Sequence, residues 1–157
     1  MSGAFPPSFN AGFIKLNIMN IWNEDYATGV PAIDQQHRLL IDRINELEAL
    51  LVNTCPTERE INFAHRLVVF LESYAQMHFY FEETCMESYR CPAHACNQRD
   101  HAQFIAFIEA FKTKFHAEGF SVEAFKELHE RVSSWIARHI LRVDTQLLTC
   151  VQVTRPA

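Results

Sequence analysis

Apolar residues recur at steps of three and four along most of this chain, and four successive segments carry the pattern. The first segment runs from Pro31 to Leu51, the second covers residues 58–89, the third covers 93–116, and the fourth begins after Ser121. Short polar connections separate them, and no strand-like alternation stands out. We therefore predict an all-α fold, an antiparallel up-down-up-down four-helix bundle.

Local signals mark where these helices begin and end. Thr57 followed three residues later by Glu60 predicts a capping box at the start of the second helix. The run Arg90-Cys91-Pro92 breaks the pattern after it, and Gly119 ends the third segment. Ser121 is a suitable N-cap for the fourth.

The length of 157 residues predicts one domain with a core of its own. We assign residues 31–150 to the bundle and residues 151–157 to a C-terminal tail. Residues 1–30 lack helical periodicity and are expected to form an extended N-terminal arm, with Phe13 and Trp22 available to pack on the bundle.

Charge and hydropathy exclude several classes of function. The net charge of −5 gives no support to nucleic-acid binding, which usually shows a basic stripe. No apolar run approaches the roughly 20 residues of a membrane span. The N-terminus lacks the basic and apolar regions of a secretory signal, so a cytoplasmic protein is expected.

The chain has five cysteines, at positions 55, 85, 91, 96 and 150, so they cannot all pair within the chain. We expect reduced thiols, as is usual in a cytoplasmic protein. The alternative is a redox cluster or a soft metal site at Cys91 and Cys96, with Cys85 near. No Cys-x-x-Cys pair supports it.

Polar residues interrupt the apolar stripe of every predicted helix. A lone histidine on such a stripe is usually a hydrogen-bonded core residue, but here four stripes each carry one. Burying an ionised carboxylate without a partner is very costly, and a divalent cation removes that cost. Imidazole and carboxylate together suit iron. The candidate metal ligands are His37, His78, Glu82, His101, His139 and Asp144. The alternative is a metal-free bundle with polar core residues.

The spacing of two of these residues makes a local prediction. His139 and Asp144 are five apart, which is about 140° around a regular α-helix. They can converge only if the helix distorts or ends between them. We therefore predict an irregular turn or π-bulge at residues 140–144, a feature common at functional sites.

Three motifs in order resemble those of the hemerythrin family, in particular its bacterial members, the bacteriohemerythrins. They are YATGVPAIDQQH at residues 26–37 with Trp22 ahead of it, HFYFEE at 78–83 followed by Met86, Tyr89 and Pro92, and WIARHI at 135–140 with Asp144. The resemblance covers about residues 20–148. It implies a non-haem di-iron centre that binds O2 reversibly. The chain contains no Glu-x-x-His, the motif of ferritin-like bundles.

The resemblance also implies a role for each ligand. Glu82 and Asp144 would bridge the two irons together with an oxo or hydroxo group. His37 and His78 would serve the iron with an open position for O2. The remaining two histidines, His101 and His139, would serve the other iron.

That second iron normally has a third histidine, and here the matching residue is Asn97. Asn97 is expected to ligate through its amide oxygen, to stand behind a water that fills the position, or to leave the iron weakly bound. His94, one turn earlier on the same stripe, is a possible substitute ligand.

The resemblance further implies an apolar pocket for O2. By position, Leu40, Phe79, Trp135 and Ile136 are the candidates to line it. Plain core packing is an equally open interpretation of each of them.

The function that the resemblance implies is non-enzymatic: an oxygen carrier, store or supplier whose partners are O2 or small anions. One alternative is a sensor or regulatory protein whose iron state alters contact with an unknown protein partner. Another is an oxidoreductase that handles peroxide or nitric oxide, made possible by an extra open iron position at Asn97.

Overall fold

The computed structural model describes residues 22–51 and 55–154. Helix α1 spans Pro31–Leu51, α2 spans Glu58–Ser88, α3 spans His94–Glu118 and α4 spans Val122–His139. A π-helical turn, Ile140–Asp144, connects α4 to the short helix α5, Gln146–Thr154. The described residues contain no strand. The predicted all-α class is confirmed. Helices α1, α2 and α3 begin and end within about two residues of the predicted positions, and α4 begins where it was predicted.

The predicted helix caps are present. Thr57 accepts a hydrogen bond from the backbone N–H of Glu60, and the Glu60 carboxylate accepts one from the backbone N–H of Thr57 at 2.6 Å. The hydroxyl of Ser121 accepts a bond from the N–H of Ala124 at the start of α4. Gly119 follows α3 with a φ of 81°, a backbone conformation that glycine adopts readily and residues with a Cβ atom rarely adopt.

The four long helices enclose the main apolar core. Helix α1 packs on α2 and on α4, and α2 packs on α3. Between α3 and α4 the contact is aromatic: Phe111 and Phe115 of α3 both meet the fully buried ring of Phe125 at centroid distances of 5.2 and 5.3 Å. The apolar stripes read from the sequence therefore face one another around a closed four-helix bundle.

The backbone distortion predicted between His139 and Asp144 is confirmed. In the turn over Ile140–Asp144, the N–H of Thr145 donates to the carbonyl of Ile140, five residues back, at 3.0 Å. A π-helical turn holds more residues than an α-helical one. It therefore brings Asp144 around to the buried face, where its side chain is 1% exposed.

Residues 22–30 are the described part of the segment before α1. Residues Glu24–Tyr26 form a 3₁₀ turn, and Tyr26 is buried in the main core. Trp22 packs against that core under the guanidinium of Arg38. The predicted packing of Phe13 lies outside the described residues. Helix α5 continues past residue 150, the predicted end of the bundle.

The expectation of reduced thiols throughout is wrong in one place. Cys91, between α2 and α3, forms a disulfide with Cys150 of α5. The alternative cluster of Cys85, Cys91 and Cys96 is also not formed, since Cys85 and Cys96 are free. Two cysteines 59 residues apart carry no local signal of pairing, and only the docking of α5 brings them together.

Among the helices of the described ranges, none combines the length and apolar character needed to cross a membrane.

Candidate metal centre

All six predicted ligands and Asn97 meet inside the bundle, and each is at most 5% exposed. Helix α1 supplies one of them, α2 and α3 supply two each, and the end of α4 and the π-helical turn supply one each. In that order they are His37, His78 and Glu82, Asn97 and His101, His139, and Asp144.

The two carboxylates lie between two histidine groups. Oε1 of Glu82 is 3.7 Å from Nε2 of His37, and Oε2 is 3.4 Å from Nε2 of His101. Oδ2 of Asp144 is 3.3 Å from Nε2 of His37, and Oδ1 is 3.1 Å from Nε2 of His139. Each carboxylate thus presents one oxygen to each side, as a bridge between two cations requires.

The side chains form two groups compact enough to hold a metal ion, in each of which every residue offers one ligand atom and these atoms lie within 4.8 Å of one another. One group is His37, His78 and Glu82, and the other is Glu82, His101, His139 and Asp144. Glu82 belongs to both. The arrangement therefore suits a pair of adjacent ions rather than a single one.

Several buried polar atoms of this centre make no hydrogen bond within the described part of the chain. They include both ring nitrogens of His37, Oε1 of Glu82 and Oδ1 of Asp144. Buried polar groups are nearly always satisfied, so orphans of this kind need an explanation. Nε2 of His37 lies 3.7 Å from Oε1 of Glu82 and 3.3 Å from the Asp144 carboxylate, and cations bound among these groups would satisfy them. The donor set therefore fits a pair of metal ions.

Three of the histidines have a polar side chain on their outer side, which is a hydrogen-bond partner for His78 and His101 and a close charged neighbour for His139. Nδ1 of His78 is 2.8 Å from Oε1 of Gln36 and Nδ1 of His101 is 2.8 Å from Oε1 of Glu83. Nδ1 of His139 lies 3.3 Å from Oδ2 of Asp100. In each case Nε2 is left facing the centre, as is common for metal-bound histidine.

Sequence reasoning missed these outer partners, although a signal was available. Gln36, Glu83 and Asp100 are each adjacent in sequence to a predicted ligand, namely His37, Glu82 and His101. A neighbouring residue is rotated by about 100° around the helix. Its side chain therefore points toward the next helix, where it reaches that helix's histidine. A polar residue beside each ligand is the pattern to look for.

Burial and neighbouring charge separate the histidines into two pairs. Burial and the adjacent His37 hold the pKa of His78 well below its ordinary value. Burial and His139 lower the pKa of His101 to about 4, against the opposing effect of Glu83. At neutral pH both rings are neutral, the form in which imidazole binds a metal.

The other pair retains protons when no cation is bound. Burial acts to lower the pKa values of His37 and His139, but Asp144 and Glu82 outweigh it and raise both. Burial would raise the pKa of Asp144, yet these two histidines hold it well below its ordinary value. Burial and repulsion from Asp144 raise the pKa of Glu82 to about 8. Metal binding must displace these protons, so the affinity for metal decreases as the pH is lowered.

Replacing Glu83 by alanine is expected to weaken metal binding by about 10–100-fold, because His101 loses the partner that orients its ring. Competitive titration against a chelator of known affinity measures the change. Glu87→Ala, on the exposed side of the same helix, is the matched control and should bind like the parent. Equal affinities for all three proteins would show that Glu83 does not support the centre.

The remaining predicted residues lie in or near the centre as follows. Leu40, Phe79 and Ile136 are buried in the main core, and Trp135 is half-buried against it. Phe79 stacks on His101 with ring centroids 3.7 Å apart, and Trp135 stacks on His139 at 4.3 Å. The two aromatic rings therefore contact the histidines of the second group, which the resemblance did not imply. His94 is half-buried at the start of α3 and belongs to neither ligand group.

Comparison with known proteins identifies the family. The profile of the hemerythrin family, described as the hemerythrin HHE cation binding domain, matches residues 28–151. A bacteriohemerythrin of Stenotrophomonas maltophilia is 30% identical over 126 residues, covering 80% of this chain and 76% of that protein. One of Clostridium acetobutylicum is 27% identical over 130 residues, covering 83% and 99%.

A solved structure supports the fold assignment. A leucine-to-tyrosine mutant of hemerythrin superposes with a TM-score of 0.72 at 24% identity, and the match covers 83% of this chain and 95% of that one. The family profile covers most of the chain, including every residue of the centre. On this basis, the chain belongs to the hemerythrin family.

Proposed function

We propose that this protein binds O2 reversibly at a pair of non-haem iron ions held by His37, His78, Glu82, His101, His139 and Asp144. Glu82 and Asp144 would bridge the ions together with an oxo or hydroxo group. The observation that carries the proposal is the placement of these two carboxylates, each with one oxygen toward each histidine group.

The composition of the donor set favours iron. Four imidazoles and two carboxylates suit iron, whereas Mg²⁺ and Ca²⁺ prefer oxygen ligands. Iron held by these residues would supply the reversible redox chemistry that O2 binding needs. The protein contributes neutral histidines, two bridging carboxylates and outer partners that fix the rings.

Apolar side chains pack around part of the centre. Phe79 and Trp135 cover the rings of His101 and His139 by stacking, and Phe104 packs on Trp135 at 4.4 Å. Leu40 and Ile136 are at most 4% exposed. An apolar wall of this kind would limit loss of bound oxygen to solvent, and we propose that Leu40, Phe79, Trp135 and Ile136 line it.

The direct test is spectroscopic. The purified protein would be analysed for iron, reduced without oxygen, exposed to O2 and then returned to vacuum or inert gas. We expect two irons per chain, one for each ligand group, and an absorption change that reverses when O2 is removed. Absence of bound iron after reconstitution, or an irreversible change, would contradict the proposal.

We propose that Asn97 takes part in the centre through its amide oxygen. Its Nδ2 donates to Oε2 of Glu82 and to Sδ of Met86, both at 3.2 Å, which uses both amide hydrogens. Its Oδ1 lies 2.8 Å from Nε2 of His139. When that nitrogen loses its proton, Oδ1 has no donor there and can face a cation.

Replacing Asn97 by histidine is expected to slow metal loss to a chelator by about tenfold, equivalent to about 1.4 kcal/mol in the activation free energy of release. The reason is that imidazole is a better donor than a neutral amide for iron. We also expect slower autoxidation of the oxygenated protein. The measurements are chelator-challenge kinetics and the decay of the oxygenated spectrum. Unchanged stoichiometry, spectrum and autoxidation would contradict a role for Asn97.

Asn97→Asp is the matched variant for the role of the amide. It keeps the oxygen and nearly the same volume but loses the N–H groups that hold Glu82. If the oxygen faces the cation, the variant should retain metal at least as well as the parent. If Asn97 acts only by donating to Glu82, repulsion between two carboxylates should weaken the site.

Asn97 also favours a second candidate function, a redox activity toward peroxide or nitric oxide. An amide oxygen is a weaker donor than imidazole, so an exogenous molecule can displace it and occupy its coordination position. Steady turnover of peroxide or nitric oxide that falls in Asn97→His would favour this activity. Reversible O2 binding without turnover would favour the carrier.

Cytoplasmic location and a sensor role with a protein partner stay predictions. So does the division into an arm at residues 1–30, a bundle at 31–150 and a tail at 151–157.

A further inference from the structure

The disulfide between Cys91 and Cys150 joins two parts of the chain that border the metal centre. Cys91 is 4% exposed in the connection between α2 and α3, and Cys150 is half-buried on α5. Their Cα atoms are 5.5 Å apart, and 59 residues separate them along the chain. The bond therefore links α5, the short last helix, to the connection between α2 and α3.

Cys91 lies in a small second core that contacts the centre, and Cys150 packs against it. Met86, in this core, accepts the hydrogen bond from Nδ2 of Asn97. Val143, also in it, directly precedes Asp144. The members of this core are Ile33, Met86, Cys91, Ala93, Val143, Leu147 and Val151, with Val30, Cys85, Tyr89 and Cys150 against them.

Helix α5 depends on these contacts for its position. Its nine residues are too few for a stable isolated helix. It is held by buried Leu147 and Val151, by close packing of Leu148 on Gly29, and by the disulfide. Since Asp144 lies only two residues before α5, any loosening of α5 is transmitted to a bridging carboxylate.

We propose that Cys91 and Cys150 form a reversible thiol–disulfide site that controls how firmly the centre holds its metal ions. The inference rests on the proposed metal centre. Its partner is a dithiol reductant, and in the cytoplasm, where we expect this protein, disulfides are usually transient and redox-sensing. In the oxidised form, the disulfide holds α5 in place and the centre retains its metal ions. In the reduced form, α5 is less firmly held and the metal ions are lost more readily.

The exchange balances with a dithiol. One thiolate of the reductant attacks Sγ of Cys150, the more exposed sulfur, and the Cys91 sulfur leaves and takes up a proton. The second thiol of the reductant then displaces Cys150, which also takes up a proton. The reductant ends as a disulfide and the protein as two thiols. Sγ of Cys150 lies 3.2 Å from the carbonyl of Gln146, so the new thiol has an acceptor.

The experiment compares the oxidised and dithiol-reduced forms of the full chain, loaded with iron. Thiol titration of the unfolded chain should find three thiols before reduction, at Cys55, Cys85 and Cys96, and five after it. Hydrogen exchange of the α5 amides and iron release to a chelator should each accelerate by about tenfold on reduction. Reoxidation should restore both rates.

Two variants make the comparison specific. Cys150→Ser should behave like the reduced form whatever the treatment. Cys96→Ser, which removes an exposed free thiol on α3, should respond to reduction like the parent. Five thiols in the oxidised protein, or equal exchange of α5 in both forms, would overturn the inference. Faster hydrogen exchange of α5 without faster iron release would show that the disulfide does not control the metal centre.

Failure of the proposed function is distinguishable from failure of this inference. If the oxidised protein binds no iron, the metal centre fails, while thiol number and α5 exchange still report on the cysteine pair. If iron binds and is released equally fast in both forms, the centre stands and the redox control is excluded.

Discussion

Glu82→Gln is expected to lower bound metal from two ions per chain to fewer than one. Glu82 is shared by both ligand groups, with one oxygen facing His37 and the other facing His101. Glutamine has the same length but no negative charge and only one oxygen, so it cannot bridge. Elemental analysis after reconstitution measures the loss, and Glu87→Gln on the exposed side of α2 is the control. A variant that keeps two ions would contradict the bridging role.

The same substitution should have the opposite effect on the metal-free protein. Burial and Asp144 raise the pKa of Glu82 from 4.5 to about 8. The folded chain therefore favours the protonated carboxyl. This contribution to stability is fully present below about pH 4.5 and is lost as the pH rises through 8. Glutamine stays neutral at every pH. Metal-free Glu82→Gln should therefore melt above the metal-free parent at pH 9.

This reversal separates a site built for metal from an ordinary polar core. Thermal melts of metal-free parent and variant at pH 5 and pH 9 measure it. We expect similar midpoints at pH 5 and a higher one for the variant at pH 9. A variant less stable than the parent at both values would show that Glu82 stabilises the fold without a cation.

Removing the metal from the native protein is expected to lower its stability by about 3–4 kcal/mol. A ligand present at 100 to 1,000 times its dissociation constant stabilises the folded state by about that amount. For a chain of this size the melting temperature should fall by roughly 6–16 °C. Calorimetry before and after chelation measures the shift, which ferrous iron should restore.

Mg²⁺ is the control for that restoration. It demands oxygen ligands in an octahedral arrangement, which four imidazoles do not provide. Adding Mg²⁺ to the chelated protein should leave its melting temperature unchanged. The metal-dependent shift should also shrink on acidification, because His37 and His139, whose pKa values are raised, hold protons that compete with the cation. Coincident melting temperatures with and without iron would contradict a bound metal.

The sequence allowed much of the centre to be predicted, because its ligands interrupt regular patterns. His78 and Glu82 lie one helical turn apart on an apolar stripe, and the geometry of a single helix is enough to direct both toward the core. The five-residue step from His139 to Asp144 required a helix distortion, and the π-helical turn is found where it was predicted. Neither inference needs the position of a neighbouring helix.

Other features could not be read in this way. The pairing of Cys91 with Cys150 depends on where α5 docks. The odd number of cysteines does not indicate which of them pair. The stacking of Phe79 on His101 and Trp135 on His139 depends on the rotation of α2 and α4 against their neighbours. The sequence shows that residue 97 is an asparagine where a histidine is expected, but it does not show the direction in which the amide points.

The sequence by itself determined which residue types face the interior and on which helix each lies. This is so because the face of a residue follows from its position in the 3.6-residue repeat of its own helix. Only the tertiary structure decided that each carboxylate presents one oxygen to each histidine group, and that Asn97 donates to Glu82 while its oxygen meets His139. Distances between side chains on different helices depend on the relative rotation and height of those helices. Packing of the whole core sets both.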